Sequence, residues 1–296
     1  MRIFVLGANG QVTRSLREAA AHDKDIVMEH GARPGVDLTR PCSVQAALAS
    51  FRPDIVINPA AFTAIDEAEI ERDTAFAVNR DGAGFVAAAA AKLGVPVIHM
   101  STEYVFDGKK RFPYVETDRV SPEGVYATSK LEGERAVAAA NPRHLILRTS
   151  WVYAPFGNNF VRTMLRLASG IDRVRVVDDQ VGCPTYAPDI ADSILAIARK
   201  LTDGGWNPKF SGVTHLAGPD SVSRYEFARA IMKQAAVRGA PHTHVDAITT
   251  ADYPTPVKRL ANSRLSTKRL FDIFEIRLPA MQQSLALCLD RLLADK

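Results

Sequence analysis

Residues 1–13 read Met1-Arg2-Ile3-Phe4-Val5-Leu6-Gly7-Ala8-Asn9-Gly10-Gln11-Val12-Thr13. Residues 3–6 form a short apolar run without polar alternation, the pattern of a strand buried on both faces of a parallel sheet. The run ends in a turn carrying Gly7 and Gly10, and residues 11–21 then read as a helix. A strand, a glycine turn and a helix in that order present bare backbone amides at a helix N-terminus. Any side chain in the turn would hold a phosphate oxygen away from them. The spacing is Gly-x-x-Gly, and position 13, where a dinucleotide turn usually has a third glycine, is Thr13. A small displacement or local repacking of the helix is expected there.

Outward from this turn the first half alternates strand and helix. Residues 26–28, 55–57, 95–100 and 145–148 read as strands, and 43–51, 74–93 and 129–140 as helices, the second of them dense in alanine. This order predicts an α/β fold, a Rossmann-like doubly wound parallel sheet. After residue 149 the rhythm loosens. Helical stretches at 160–168, 189–201, 225–236 and 280–293 are separated by Pro- and Gly-containing segments at 178–188 and 253–263. We expect a dinucleotide-binding domain over 1–150 and a smaller mixed α/β lobe, mainly for substrate, over 151–296, with some later segments returning to the first.

Composition narrows the function classes. The 296 residues are 47% hydrophobic and 24% charged, and a chain this long buries enough surface to need no disulfide or metal for its core. There are 37 Lys and Arg against 33 Asp and Glu, a formal charge of +4. That excess mildly favours a small anion but makes no nucleic-acid footprint. Of the local basic clusters, Lys109-Lys110-Arg111 and 258–269, the first reads as a solvated loop. Cys42, Cys183 and Cys288 are far apart, and His242 and His244 have no nearby third ligand, so no metal site is expected. No apolar run is long enough to span a bilayer, and a strand starting at Arg2 leaves no room for a signal peptide. The expectation is a reduced, cytoplasmic protein without a membrane partner.

The second strand is followed by Glu29, able to hold ribose hydroxyls, and Arg33, able to hold a 2′-phosphate, so NADH and NADPH both stay open with a slight lean to NADPH. Asp37 and Leu38 lie where the next loop could reach an adenine. Tyr126 and Lys130 are four residues apart on a helix, hence on one face. A phenol is a weak acid at neutral pH, and a neighbouring ammonium is expected to lower its pKa so that it can protonate a developing alkoxide. Thr102 ends the preceding strand, at the sheet edge where such folds bind ligands, and its hydroxyl could donate to a substrate carbonyl. His99, on an apolar strand, reads as a core histidine.

With these residues in view, the chain resembles the extended short-chain dehydrogenase/reductases, and within them the branch that reduces dTDP-4-dehydrorhamnose. The matching segments run in order from Gly7-Ala8-Asn9-Gly10-Gln11 through 58–69, 101–108, the Tyr126/Lys130 pair, 148–153, 158–160, 179–185 and 253–256 to Arg259 and 262–265. The resemblance implies NAD(P)H-dependent reduction of the C4 keto group of a nucleotide-linked 6-deoxysugar. Gly7, Gly10, Gln11 and Val12 would wrap the pyrophosphate, with Ala60, Ala61 and Thr63 along the cofactor's middle. Tyr126 would be the acid, and Lys130 would bind the nicotinamide ribose. Thr102, Glu103 and Tyr104 would flank the sugar, Trp151 would wall it, and Asn159, Arg259 and Asn262 would meet the nucleotide half. Glu103 stands where the family usually has Asp. Arg14, Ser15 and Arg17 replace the early acidic residue of relatives with a magnesium-linked dimer, so neither Mg²⁺ nor that dimer is expected; a monomer or weak homodimer is. Two alternatives stay open: a reductase making another stereoisomer, and a non-catalytic NADP-binding regulatory subunit of the same fold.

Overall fold

The computed structural model describes residues 1–294. The chain begins with β1 (Arg2–Leu6), α1 (Gln11–Ala21), β2 (Val27–Gly31), α2 (Pro41–Phe51) and β3 (Ile55–Asn58). Next come two short helices, α3 (Ile65–Ala68) and α4 (Arg72–Phe76), then α5 (Ala83–Lys92), β4 (Val97–Thr102), α6 (Val125–Ala140) and β5 (His144–Thr149). The remainder holds β6 (Val152–Tyr153), α7 (Phe160–Ala168), β7 (Arg173–Val177), β8 (Val181–Gly182), β9 (Thr185–Tyr186) and α8 (Ala187–Asp203). It continues with β10 (Gly212–His215), β11 (Val222–Ser223), α9 (Arg224–Val237), β12 (His244–Ile248), β13 (Asn262–Ser263), α10 (Lys268–Phe274) and α11 (Met281–Leu293).

Six strands form one parallel sheet in the order β10-β5-β4-β3-β1-β2. Ile3 and Val5 face one side, with Ile57, Ile98, α8 and α10, while Phe4 and Leu6 face the other, with α2 and α5. Both faces are therefore dry, which is why β4 is buried along its whole length. The chain leaves β1 toward β2 and returns on the opposite side at β3, so the strand order reverses between β1 and β3. In an open α/β sheet the crevice for a ligand opens at such a reversal. The smaller lobe packs α7, α9 and α11 around the two-stranded pair of β7 and β12, with Tyr153, Phe227, Ile231 and Leu285 at its centre.

The elements differ from the sequence expectation in several places. The second strand runs Val27–Gly31, one residue later and two longer, because its pairing with β1 continues to Leu6–Gly31. Helix α6 starts at Val125 rather than near 129, which brings Tyr126 onto the helix. The long helix expected over 74–93 is interrupted by a π-helical turn, Ala77–Gly82. There Asn79 turns its amide to the backbone of Phe62, accepting from its N–H at 2.8 Å and donating to its carbonyl at 3.0 Å. Helix α10 was not anticipated. Both α8 and α10 come from the second half yet cover the sheet of the first, and β10 is its edge strand.

Candidate active site

A cleft of about 810 Å³ opens along the carboxyl ends of β1, β3, β4 and β5. One end is the glycine turn. Gly7 has φ +88°, a conformation that strains any L side chain, and its N–H donates to the Gly31 carbonyl at 2.7 Å. Gly10 caps α1 without a side-chain bond, and the first turn of α1 holds no acidic residue. The partial positive charge of the helix end thus faces the cleft with its amides free, which fits an anionic diphosphate. Gly7, Gly10, Gln11, Val12, Arg33, Ala60, Ala61 and Thr63 all line this end. Arg33 reaches the lining and Glu29 does not, which suits a 2′-phosphate. Thr13 is accommodated: it is buried and contributes to the cleft wall.

The other end gathers Thr102, Glu103, Tyr104, Tyr126, Lys130 and Trp151. Lys130 is buried, and its Nζ donates to the Met100 carbonyl at 2.7 Å. Burial pushes its ammonium down to about 8, opposed by the charge of Glu134. The phenol of Tyr126 is pushed up from its ordinary value, first by burial, with the Thr102 hydroxyl pulling the other way. The expected acidification by Lys130 is not found: burial dominates, Glu103 and Tyr104 add to it, and the Lys130 ammonium is engaged by a carbonyl instead. Glu103 is buried and accepts from the Thr102 hydroxyl at 2.9 Å. Burial raises its carboxyl to about 7, with Thr102 and Arg224 lowering it in part. Tyr104 meets Tyr126 edge-on at 5.8 Å between ring centroids.

Trp151 has φ +45°, a strained conformation for so large a residue, and its indole lies so close over Gly182 that no Cβ fits there. Its exposed side is covered by the Arg224 guanidinium, 3.6 Å from the ring centroid. Arg224 opens α9 and lines the cleft, yet sequence reasoning missed it: an arginine at a helix start carries no local signal, and only the fold brings α9 to β4. Burial lowers its guanidinium to about 10. Among the described residues no hydrogen bond engages its side chain. Asn9, Ile65 and Asn158 also line the cleft beyond the residues expected.

Five residues assigned to ligands by the sequence reading do not line the cleft. Asp37 folds back on its own turn, accepting from Thr39 N–H at 2.9 Å and Oγ1 at 2.8 Å. Leu38 packs against Gly82 of the π-turn. Asn159 caps α7 and spends its amide on Gln11 Oε1 at 2.9 Å and the Ala154 and Phe156 carbonyls. Arg259 pairs with Asp66. Asn262 donates to the Lys110 and Phe112 carbonyls and accepts from Arg264. The polar groups of Asp37, Asn159 and Asn262 hold loops, and Arg259 Nη1 is buried without a hydrogen-bond partner among the described residues. His99 is a core residue, buried beside Asn58 at 3.3 Å. Arg14 lies over the Phe156 ring at 3.9 Å, and among the described residues no group of three His, Cys, Asp or Glu could hold a metal. No described helix is long and apolar enough to cross a membrane.

Comparison with known proteins agrees with this geometry. The family described as RmlD substrate binding domain matches residues 1–294. A dTDP-4-dehydrorhamnose reductase of Sinorhizobium fredii is 47% identical over 284 residues, covering 96% of this chain and 95% of the relative. A crystal structure of a dTDP-4-dehydrorhamnose reductase from Clostridium acetobutylicum superposes with a TM-score of 0.90 at 35% identity, covering 99% of each chain. One from Bacillus anthracis, in complex with NADP, gives 0.87 at 31% identity over 97% of this chain and 98% of that one. With a family match over nearly its whole length and a doubly wound sheet opening on a Tyr/Lys cleft, this chain belongs to the RmlD substrate-binding-domain family.

Proposed function

We propose that this chain reduces the C4 keto group of dTDP-4-dehydrorhamnose to give dTDP-rhamnose, using NADPH or NADH with a lean to NADPH. The observation that carries the reading is the meeting of Thr102, Tyr126 and Lys130 in one cleft whose far end is an uncapped glycine turn. Gly7, Gly10, Gln11 and Val12 would hold the pyrophosphate, Ala60, Ala61 and Thr63 the middle of the dinucleotide, and Arg33 the 2′-phosphate. When bound, the cofactor supplies the hydride.

The chain's own residues then handle the oxygen. Tyr126 would donate to the C4 carbonyl and give up its proton as the alkoxide develops, and Thr102 would donate beside it once its single proton swings from Glu103 to the substrate. The raised phenol pKa keeps that proton in place until the oxygen becomes basic. Lys130 would hold the nicotinamide ribose and, as an ammonium, stabilise the phenolate left behind. Trp151 and Tyr104 would wall the sugar. Arg224, without a protein acceptor, would take the diphosphate of the nucleotide. In this reading residues 1–150 mainly hold the cofactor and 151–296 mainly the substrate, and the chain works in the cytoplasm as a monomer or weak homodimer.

The test is the loss of reduced-nicotinamide absorbance with dTDP-4-dehydrorhamnose and each cofactor in turn, with product stereochemistry assigned by NMR. Turnover to the rhamnose configuration is expected. Replacing Tyr126 by Phe should cut kcat by about 10²-fold or more. Tight dinucleotide binding by the wild type without turnover would overturn the reading.

A further inference from the structure

Directly beneath the catalytic helix lies a buried ion pair that the proposed chemistry does not use. Glu134 sits on α6 one helical turn after Lys130, and Arg148 sits on β5; both side chains are about 95% buried, at 5% and 4% exposure. Arg148 grips the carboxylate with both prongs of its fork, Nε to Oε1 at 2.8 Å and Nη2 to Oε2 at 2.6 Å. The Ser101 hydroxyl on β4 donates to the same Oε1 at 2.5 Å. Ser101 is paired with Arg148 in the sheet and lies between Met100, whose carbonyl holds Lys130, and Thr102. One carboxylate thus ties the helix carrying Tyr126 and Lys130 to the two strands carrying Thr102 and the floor of the cleft.

We propose that the Glu134–Arg148 pair is the positioning device of the catalytic helix: its carboxylate registers α6 on β4 and β5 and supplies the negative charge that the Lys130 ammonium faces. Such a pair is costly as a stability element, because desolvating two ions offsets most of their attraction. Its place one helical turn from Lys130 points to another use. Glu134 is the carboxylate whose charge acts on Lys130, and Glu103, the other buried carboxyl at this end of the cleft, is common to every variant compared. His99 on β4 is buried and held neutral, in part by the Lys130 charge itself, and Tyr126 one turn earlier keeps its proton. Arg148 stands behind the carboxylate and dilutes its field. The two members of the pair therefore act on Lys130 in opposite senses, and a purely mechanical clamp would not.

The inference rests on the proposed reductase reading for its kinetic readout. In wild type, activity should fall as pH rises past the Lys130 ammonium. Glu134→Gln, which removes the negative charge, should move that alkaline limb down by about one pH unit. Arg148→Met, which leaves the carboxylate uncompensated, should move it up. Rescue by Glu134→Asp should restore the limb's position even where kcat stays low. Limbs that do not move, or that move together, would overturn the proposal. ¹³C NMR titration of lysine-labelled protein, with Lys130 assigned from Lys130→Met, reads the same shifts without substrate. A failure of the wild type to turn over would therefore count against the function alone. Should Glu134→Gln or Arg148→Met not fold by circular dichroism, Arg148→Gln takes its place. Its amide can still donate to the carboxylate but carries no charge, so the Lys130 titration should move up, and an unmoved titration in that variant would equally overturn the proposal.

Discussion

Glu103 is 5% exposed, and burial raises its carboxyl from 4.5 to about 7. Between those values the folded chain holds a proton that the unfolded chain has lost, so the contribution of this group to stability falls as pH rises from about 4.5 to about 7. The full cost, of order 3 kcal/mol, is present above that window. His215, pushed down to about 3 by burial, acts in the opposite sense: its contribution rises with pH from about 3 to about 6.5. Because His215 is common to both proteins, comparing wild type with Glu103→Gln isolates the carboxyl. Denaturant melts at pH 5 and pH 8 should show the variant gaining stability relative to wild type as pH rises; a constant difference would reject the assignment. Arg224 allows a second prediction. If it grips a substrate phosphate, Arg224→Ala should raise KM by about 10–100-fold and change kcat much less, the pattern of lost charged hydrogen bonding common to ground and transition states. An unchanged KM would remove it from the substrate. At this scale the sequence was only half legible. Tyr126, Lys130 and Thr102 declare themselves by spacing and by their position at a strand end. Asn159, Arg259 and Asn262 sit in equally distinctive segments, yet Asn159 and Asn262 spend their amides on Gln11 and backbone carbonyls, while Arg259 pairs with Asp66 through Nη2 and keeps a buried Nη1 without an acceptor among the described residues. A motif marks a residue that matters; it does not say whether ligand or loop receives the hydrogen bond.

The elements show where local patterns suffice. Helix α1 begins at Gln11 as read, because a glycine turn and an amphipathic run define it without outside help, and β1 follows from four consecutive apolar residues. The π-turn at Ala77–Gly82 could not be read that way. It depends on Asn79 finding Phe62 seventeen residues earlier and Ser129 on α6, where its amide donates at 2.9 Å. The same contact makes Gly133 irreplaceable in physical terms: a Cβ there would run into the Asn79 carbonyl, which is backbone and cannot swing aside. In an exposed helix, Gly→Ala stabilises by up to about 1 kcal/mol. Here the overlap reverses the sign, and Gly133→Ala should destabilise by about 1–3 kcal/mol. It should also cost activity, since Lys130 and Tyr126 lie within about two turns of Gly133 on the same helix. A thermal melt and an assay on the same sample check both; a variant as stable as wild type would mean that the two helices separate more easily than this packing implies.

At the scale of the whole molecule, the two halves of the chain are interleaved rather than strung together. The composition and the βαβ order made the doubly wound sheet legible, and helices were correctly placed in the second half, but no local pattern says which sheet face a late helix will cover. Ile190, Ile194 and Ile197 of α8, with Leu270 and Phe274 of α10, close the face formed by Ile3, Val5, Ile55, Ile57, Ile98, Leu145 and Leu147. Each of those strand side chains contributes about 1.5–3 kcal/mol by being buried. Helix α1 keeps Leu16 and Ala20 on this face, yet uncovering only part of the seven uses up much of the 5–15 kcal/mol by which an ordinary domain is stable. Residues 1–150 alone, though they contain the glycine turn and the Tyr126/Lys130 pair, should therefore fail to fold cooperatively. Near-UV circular dichroism should show no fixed aromatic packing, and a hydrophobic dye should bind strongly. Adding residues 187–278 in trans should restore some order, because they supply α8, β10 and α10. If the 1–150 fragment instead melts in a single sharp transition and binds NADPH as the full chain does, the sheet does not need its late helices, and the interleaved core is not what holds this molecule together.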